Sequence, residues 1–147
     1  SHSLKVMPIQ FHPPKGTILT CDFDKAFKPP EMVKRRPVIV ISPQIKGRSG
    51  LCTVVCCSTT KPDPVMKYHF EIKLASAMPS PWSAESFWIK GDMIYSVSFQ
   101  RLNLIQLNKD PLGHRQYYKT PLNDEQLNKI YACILHGIGL SSLTIHL

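Results

Sequence analysis

Thirteen prolines are distributed along this chain of 147 residues, and they limit the length of its regular elements. Proline lacks a backbone N–H, so it disrupts the interior of a helix and the hydrogen bonding of a central strand. We therefore expect short strands joined by rigid turns rather than long helices. The chain is long enough for one domain with its own hydrophobic core and too short for two.

Two hydrophobic patterns predict the strands. Strict alternation of apolar and polar residues, as in residues 68–74, indicates a strand with one buried face. The inward-facing side chains of this strand are expected to be Tyr68, Phe70, Ile72 and Leu74. A continuous apolar run, as in residues 37–42 and 51–57, indicates a strand that is buried on both faces. The predicted strands cover residues 17–24, 37–42, 51–57, 68–74 and 92–97, with a weaker sixth at 115–119.

A single helix is predicted near the C-terminus, from about Asp124 to His136. Asn123 is a favourable N-cap residue, and Gln126 stands at the capping-box position three residues later. Apolar residues recur in this segment at helical spacing and would pack on a sheet. The predicted fold class is mainly β, a small and strongly bent β-barrel with a C-terminal α-helix.

The predicted domain organisation is simple. Residues 1–14 are expected to form an N-terminal arm, in which residues 1–3 resemble a cloning remnant, and residues 15–147 form a single domain. A loop with two prolines and several basic residues spans residues 25–36. The connection over residues 75–86 is longer than a hairpin requires, and its sequence gives no reason for that length.

Charge and cysteine content bear on the surroundings of the protein. Lys and Arg number 18 against 10 Asp and Glu, a formal charge of +8, which fits either a polyanionic partner such as nucleic acid or an ordinary solvated basic surface. Five cysteines without a Cys-x-x-Cys pair give weak support for a zinc site and predict a reducing, cytoplasmic environment. No apolar run approaches the length of a membrane span, so no membrane association is expected.

Three segments carry a resemblance through their order and spacing. The first, residues 16–24, is a strand that ends in an acidic-aromatic pair; the second, residues 31–43, holds an acidic residue, Arg36-Pro37 and an apolar strand. The third, residues 51–60, is an apolar strand that ends in hydroxyl residues, and residues 91–97 give a looser fourth match. Together they resemble the MazF/PemK-like toxins of bacterial toxin–antitoxin systems, over about residues 15–139.

The resemblance implies an SH3-like barrel, a homodimer and cleavage of single-stranded messenger RNA independently of the ribosome. It also implies a cognate antitoxin that occupies the RNA groove, and a reaction that uses no metal or other cofactor. In such cleavage the 2′-hydroxyl attacks the adjacent phosphorus and the 5′-oxygen leaves. The protein has to assist proton transfer and stabilise charge on the phosphoryl oxygens.

Four residues are the candidate catalytic groups that the resemblance implies. Arg36 matches the family's catalytic arginine before proline, and a guanidinium binds phosphate bidentately. Ser58 matches the family's catalytic threonine, a change that keeps the hydroxyl, and Thr59 beside it can share the role. Glu31 stands at the family's acidic position, where it would act as a base or orient Arg36. Each has an ordinary alternative: a surface arginine, a turn-forming hydroxyl pair and a solvated loop carboxylate.

RNA binding is expected from the basic loops, whose side chains would contact phosphates, although Arg35 and Arg36 should point to opposite faces of a strand. The candidate RNA-binding residues are Lys28, Lys34, Arg35, Arg48, Asp92 and Arg101. Phe27, Tyr68 and Trp82 are candidates for stacking on unpaired bases, with core packing as the alternative for the last two.

Two other functions stay open. The first is a non-catalytic nucleic-acid-binding or protein-interaction module on the same barrel, because a fold does not guarantee its usual chemistry. The second is a metal-dependent nuclease, which is disfavoured because the sequence lacks a tight cluster of Asp, Glu and His ligands.

Overall fold

The computed structural model describes residues 8–24 and 27–147. Predictions that concern residues 1–7, including the cloning remnant and half of the arm, and residues 25–26 of the basic loop lie outside the described residues. The described part contains six strands and one α-helix, together with 3₁₀ turns at Phe99–Arg101 and Ser141–His146. The strands are β1 (Ile18–Asp22), β2 (Arg35–Val40), β3 (Leu51–Ser58), β4 (His69–Lys73), β5 (Ser86–Ser98) and β6 (Leu102–Asn103), and the helix is α1 (Asp124–Gly137).

The six strands form one sheet in the order β4-β5-β3-β2-β1-β6, and neighbouring strands pair antiparallel. The prediction of a mainly-β fold with a C-terminal α-helix is confirmed. Strands β4 and β6 stand at the two ends of the described sheet. The predicted barrel is therefore an open one, whose strand pairing does not close it.

Side chains of the sheet alternate between two hydrophobic clusters, one on each face. Ile39 packs in the cluster that includes residues of α1, whereas its neighbours Val38 and Val40 pack in the other cluster. We call these sides the helix face and the loop face, since Phe23 and Met32 from loops belong to the second cluster. Strands β2 and β3 thus bury both of their faces, as their continuous apolar runs predict.

Helix α1 begins with the predicted capping box and then approaches the sheet closely. The Asn123 side chain accepts a hydrogen bond from the Gln126 N–H (2.8 Å), and the Gln126 side chain accepts one from the Asn123 N–H (2.9 Å). Further along, the helix backbone runs against Gly91 of β5, where a Cβ atom would lie 2.4 Å from the carbonyl carbon of Cys133. Only glycine permits this approach, which fixes α1 on the helix face.

Strand β5 begins earlier than predicted. It extends over Ser86–Ser98, so that the predicted connection ends where this strand starts and Trp88 lies within the sheet. An irregularity explains the misassignment: Val55 pairs with Ile94, but the next residue, Cys56, pairs with Lys90. The bulged residues interrupt the apolar alternation of β5, and a bulge in sequence resembles a turn.

Two further strand predictions need correction. The weak prediction of a sixth strand at residues 115–119 is wrong, because this segment forms only an isolated bridge between Tyr117 and Gln106, and β6 lies at Leu102–Asn103. In β4, Phe70 lies on the helix face, as its pairing with Ile89 shows, but at the edge of the sheet it is left 36% exposed rather than buried in the core. The Lys129 ammonium lies 4.8 Å from its ring centre, a cation–π contact that partly covers this edge-strand side chain.

The connection before β5 and the arm before β1 both pack on the domain. Met78 from the connection is 2% exposed, and the Tyr118 hydroxyl donates a hydrogen bond to the Ser76 carbonyl oxygen (3.1 Å). The length of this connection is explained by the core residue that it delivers. In the arm, Ile9 is buried and its N–H donates to the Leu102 carbonyl oxygen (3.0 Å) beside β6.

Candidate functional site

The register between β2 and β3 brings two candidate catalytic residues together. Val38 pairs with Cys56 in this antiparallel ladder, and extending the register by two residues puts Arg36 opposite Ser58. Side chains of directly opposite residues project from the same face, with Cβ atoms about 4.5–5.5 Å apart. Because Val38 and Cys56 belong to the loop-face cluster, Arg36 and Ser58 also lie on the loop face, at its edge.

Arg36 is half-buried and anchored through one nitrogen. Its Nε donates a hydrogen bond to the Val33 carbonyl oxygen (3.2 Å), while Nη1 and Nη2 make no hydrogen bond or ion pair with any described residue. The guanidinium is near enough to Cys56 to favour its thiolate electrostatically. An arginine with a fixed stem and a free outer edge can bind an oxyanion with two parallel hydrogen bonds.

Ser58 is the last residue of β3 and is half-buried. Its Oγ accepts a hydrogen bond from the Thr60 N–H (3.0 Å). This is the contact expected of a serine that forms a turn, the alternative to a catalytic role. A hydroxyl that accepts in this way still has its proton to donate. Thr59, the second candidate hydroxyl, is exposed in the bend that follows.

Strand β5 adds two residues that sequence reasoning missed. Trp88 pairs with Ser58 and Lys90 pairs with Cys56, so both lie on the same face as Ser58. The Lys61 ammonium stands 6.0 Å from the Trp88 ring centre. The signal was present in the sequence, since Trp88 and Lys90 alternate with the buried Phe87 and Ile89, but the stretch was assigned to the connection. The site therefore carries an aromatic ring and more positive charge than predicted.

His69 pairs with Lys90 and extends the same face. Its Nδ1 accepts a hydrogen bond from the Met66 N–H (3.0 Å), and since a backbone N–H can only donate, the neutral ring carries its proton on Nε2. Burial lowers the pKa of His69 from 6.5; Lys90 also lowers it and Asp92 opposes the change. At neutral pH this side chain is thus a hydrogen-bond donor rather than a proton acceptor.

Glu31 and Asp92 approach the site from the loop and from β5. The Glu31 carboxylate accepts a hydrogen bond from the Lys28 N–H (3.1 Å), which closes a turn at residues 28–31. Burial raises the pKa of Tyr95, and the charges of Glu31 and Asp92 raise it further, so both carboxylates lie within electrostatic reach of its hydroxyl. That hydroxyl accepts a hydrogen bond from the Met32 N–H (3.5 Å) and joins the loop to β5.

Two of the predicted RNA-binding lysines stand on the loop that leads into β2. Lys28 and Lys34 are both exposed. Lys34 has a φ of 68°, in the left-handed region that is unfavourable for residues other than glycine. Its carbonyl oxygen accepts a hydrogen bond from the Phe23 N–H (2.9 Å), which helps to hold this conformation directly before Arg35 and Arg36.

Of the three remaining predicted RNA-binding arginines, Arg35 and Arg48 lie apart from Arg36 and Ser58, whereas Arg101 is close enough to Cys21, the β1 partner of Arg36, to act on its thiol electrostatically. Arg35 pairs with Asp22 and lies on the helix face. Arg101 donates to the Asp22 carbonyl oxygen (2.8 Å) and lies 5.2 Å from the Phe27 ring centre. Arg48 donates to the Thr53 hydroxyl (3.0 Å), near the end of β3 that is remote from Ser58, roughly 17 Å along the strand. Their contact with RNA stays a prediction.

The cysteines are free and buried, and none offers a reactive thiolate. Burial raises the pKa of Cys21 to about 12 and that of Cys52 and Cys133 to about 11. Within residues 8–24 and 27–147, no three His, Cys, Asp or Glu side chains come together as a metal-binding group. The same part of the chain holds no helix long and apolar enough to cross a membrane.

Comparison with known proteins agrees with this fold. The family described as "PemK-like, MazF-like toxin of type II toxin-antitoxin system" matches residues 14–136. The uncharacterized protein YifN of Escherichia coli is 29% identical over 155 residues, covering 93% of this chain and 99% of that protein. Among solved structures, MazF from Deinococcus radiodurans has a TM-score of 0.57 at 14% identity, over 88% of this chain and 98% of that chain. An endoribonuclease in complex with its cognate antitoxin, from a mycobacterial species, has a TM-score of 0.54 at 16% identity, over 87% of this chain and 96% of that one.

Proposed function

Because this chain belongs to the PemK-like, MazF-like toxins of type II toxin–antitoxin systems, we propose that it is an endoribonuclease that cleaves single-stranded RNA without a metal. The register of Arg36 against Ser58 is the observation that carries the proposal. A phosphate held between them would contact the Arg36 guanidinium on one side and the Ser58 hydroxyl on the other.

The reaction begins with attack of a ribose 2′-oxygen on the adjacent phosphorus. The new P–O bond forms as the bond to the 5′-oxygen breaks, which leaves a 2′,3′-cyclic phosphate and a 5′-hydroxyl. The 2′-hydroxyl gives up one proton to solvent and the departing 5′-oxygen gains one. Arg36 neutralises the extra negative charge on the phosphoryl oxygens, and Ser58 donates a hydrogen bond to one of them. The Lys90 ammonium adds to the positive field.

His69 is not available as the base that removes the 2′ proton, because its Nδ1 lone pair accepts a hydrogen bond from the Met66 N–H. Among the described residues Glu31 is the remaining candidate to receive this proton on its way to solvent, because only one of its oxygens accepts the hydrogen bond from the Lys28 N–H. Electrostatic stabilisation and positioning of the RNA supply the rest of the catalysis, and Glu31 also shapes the loop that leads to Arg36.

The partners follow from the family and from related structures. The mycobacterial endoribonuclease was solved with its cognate antitoxin, and we propose that this chain likewise forms a homodimer and binds an antitoxin. A basic surface suits an acidic peptide as well as RNA, so the antitoxin would compete with the substrate for the loop face around Arg36. The exposed Lys28 and Lys34 at the start of β2 would contact either ligand.

A non-catalytic binding module is the second candidate, and the engagement of the His69 Nδ1 lone pair in a hydrogen bond favours it. Such a module would still use Arg36 and Lys90 to bind phosphates. It would form a complex with RNA that stays intact.

One experiment separates the two functions. The purified protein, Arg36→Ala and Arg115→Ala are incubated with single-stranded RNA in EDTA; Arg115 is an exposed control of equal charge. We expect cleavage by the first and third proteins, and a rate lower by about 10²–10³ for Arg36→Ala. A substrate with a 2′-deoxy sugar at the cut site should stay intact. RNA that all three proteins bind but do not cut would establish the binding module instead.

A further inference from the structure

A cavity of about 290 Å³ opens on the helix face, the side of the sheet away from Ser58. Its floor is made by the paired residues Thr20 of β1 and Asn103 of β6. Its wall is made by residues 79–82 of the connection before β5, and Arg35 stands beside it. The proposed cleavage at Arg36 and Ser58 does not use this cavity, although Arg35 and Trp82, named above as candidate RNA contacts, both line it.

The floor contains a buried polar atom that lacks a partner. Asn103 is 4% exposed, and its Oδ1 accepts no hydrogen bond within the described part of the chain. Buried side-chain oxygens in folded proteins are nearly always hydrogen-bonded. This oxygen has almost no accessible surface, so a ligand donor reaches it only after the Asn103 amide turns toward the cavity, and no hydrogen bond of that side chain to a described residue opposes the turn. Thr20, 4% exposed, lies next to it with its hydroxyl directed to the Asn103 carbonyl oxygen (3.5 Å).

The wall is apolar and rigid. It is built from the Trp82 indole and the rings of Pro79 and Pro81, with Leu104 and Ile105 from the segment after β6. Trp82 also packs against the helix-face cluster, which holds its ring in place. A fixed indole beside proline rings forms a surface on which a flat heterocycle can stack.

The remaining determinant is positive charge at the cavity. Arg35 is half-buried, pairs with Asp22 in the ladder and makes no hydrogen bond or ion pair with any described side chain. Its guanidinium is therefore available to a phosphate. Arg36, its neighbour in β2, projects to the loop face, so the two arginines serve different sides of the sheet.

We propose that this cavity binds one ribonucleotide, with the base against Trp82 and donating to Asn103, and the phosphate on Arg35. A planar ring with an N–H donor and an anionic group is what these three residues recognise together. The volume lies just below the range of about 300–1,000 Å³ for pockets that bind drug-sized ligands, which suits a single nucleotide. The occupant is either a free mononucleotide or one nucleotide of a bound RNA strand.

The test uses the full chain and defined probes, namely the four ribonucleoside 5′-monophosphates, the four nucleosides and ribose 5-phosphate. Binding is followed by titration calorimetry and by backbone NMR shifts. We expect at least one monophosphate to shift the signals of residues 79–82 and 103–106. Arg35→Gln should weaken that monophosphate about tenfold and leave its nucleoside unchanged, whereas Trp82→Ala should weaken both.

Lys67→Gln, at an exposed residue before β4 and at the opposite end of the sheet from β6, is the control for the loss of one positive charge and should leave monophosphate binding unchanged. Arg36→Gln removes the phosphate site of the loop face, but the shifts of residues 79–82 and 103–106 should remain. Binding that depends on Arg36 and not on Arg35, or shifts confined to the loop face, would overturn the proposal. So would binding of an acidic aromatic peptide, but no nucleotide, in the cavity. Circular dichroism melting confirms that each variant is folded.

The two sources are separated by competition on the Arg36→Gln protein. If a single-stranded RNA displaces the monophosphate and depends on Trp82, the occupant is a nucleotide of the strand; if it does not displace it, the ligand is a free nucleotide. The measurement requires no cleavage, so this proposal and the proposed endoribonuclease activity can fail independently.

Discussion

Arg36 on β2 falls opposite Ser58 on β3 when the register of the two strands is extended by two residues, at the edge of the loop face. Residues 37–40 of β2 and 54–57 of β3 are buried, so the pair lies where a hydrophobic core gives way to solvent. The two polar groups are 22 residues apart in the chain, and each is held by its own ladder, Arg36 by pairing with Cys21 of β1 and Ser58 by pairing with Trp88 of β5. Sites built on strands hold their geometry more tightly than sites on loops, which is the physical basis of the predictions on cleavage.

Removing the Ser58 hydroxyl should slow RNA cleavage. In Ser58→Ala the phosphoryl oxygen loses one donor, and we expect kcat to fall by about 10²-fold, with a smaller change in KM. Ser58→Thr keeps the hydroxyl at the same position and should retain most of the activity. Single-turnover cleavage of a fluorescent RNA measures both variants.

Thr59→Ala provides the matched comparison, because it removes a hydroxyl from the adjacent, exposed residue. We expect less than a tenfold effect, since nothing in the ladder aims Thr59 at Arg36. A larger loss in Thr59→Ala than in Ser58→Ala would mean that the second hydroxyl is the catalytic one.

Much of this arrangement was predictable from sequence, and the parts that were not have physical reasons. The alternation of Leu19, Cys21 and Phe23 and the apolar run around Val38 define their strands, because burial on one or both faces leaves a periodic signal. The capping box at Asn123 is a local motif, so it could also be predicted from the sequence. These elements fix the edge at which Arg36 stands.

The start of β5 was predicted wrongly because a bulge joins two strand segments, and the residues that face the helix are odd-numbered in one segment and even-numbered in the other. On the N-terminal side Phe87 and Ile89 face the helix, and on the C-terminal side Ile94 does, so the even–odd pattern changes between them. Trp88 and Lys90 lie in the first of these segments, so they were not predicted as residues of the site. The arrangement of Trp82 and Asn103 around one cavity depends on tertiary packing and leaves no periodic signal.

Gly91→Ala should destabilise the fold because the added methyl group overlaps its neighbours, not because of backbone strain. The added methyl group would lie 2.4 Å from the Cys133 carbonyl carbon and oxygen, which forces α1 away from β5. Overpacking of this kind costs about 1–3 kcal/mol, measurable as a lower urea midpoint. Gly91 is not in the left-handed region, so the backbone itself accepts alanine.

Gly47→Ala is the contrasting variant. Gly47 has a φ of +85° and open space around it, so only the conformational cost applies, about 1 kcal/mol. A Gly91→Ala protein as stable as the parent would contradict the close approach of the helix.

The thiols should be unreactive in the native protein. At pH 8 a thiol with a pKa of about 12, the value to which burial raises Cys21, is ionised to only about one part in ten thousand. We expect a thiol-specific disulfide reagent to label none of the five cysteines at pH 8 and all of them in denaturant. Ser49→Cys, in the exposed turn before β3, is the control that should react at once. Rapid labelling of the parent protein would show that the core opens readily.

Acid should destabilise the protein partly through His69. Burial lowers the native pKa of His69 below the 6.5 of the unfolded chain, so the unfolded state binds more protons in the window between the two values. The stability that neutral His69 contributes is present above pH 6.5 and is lost as the pH falls through the lowered native pKa. An NMR titration should give a midpoint below 6.5 for its ring. His69→Asn, whose side-chain oxygen can still accept from the Met66 N–H, should lose less stability than the parent between pH 7.5 and 5.5. A midpoint at or above 6.5 would mean that the fold does not disfavour protonation of this ring, and His69 could not then account for a loss of stability in acid.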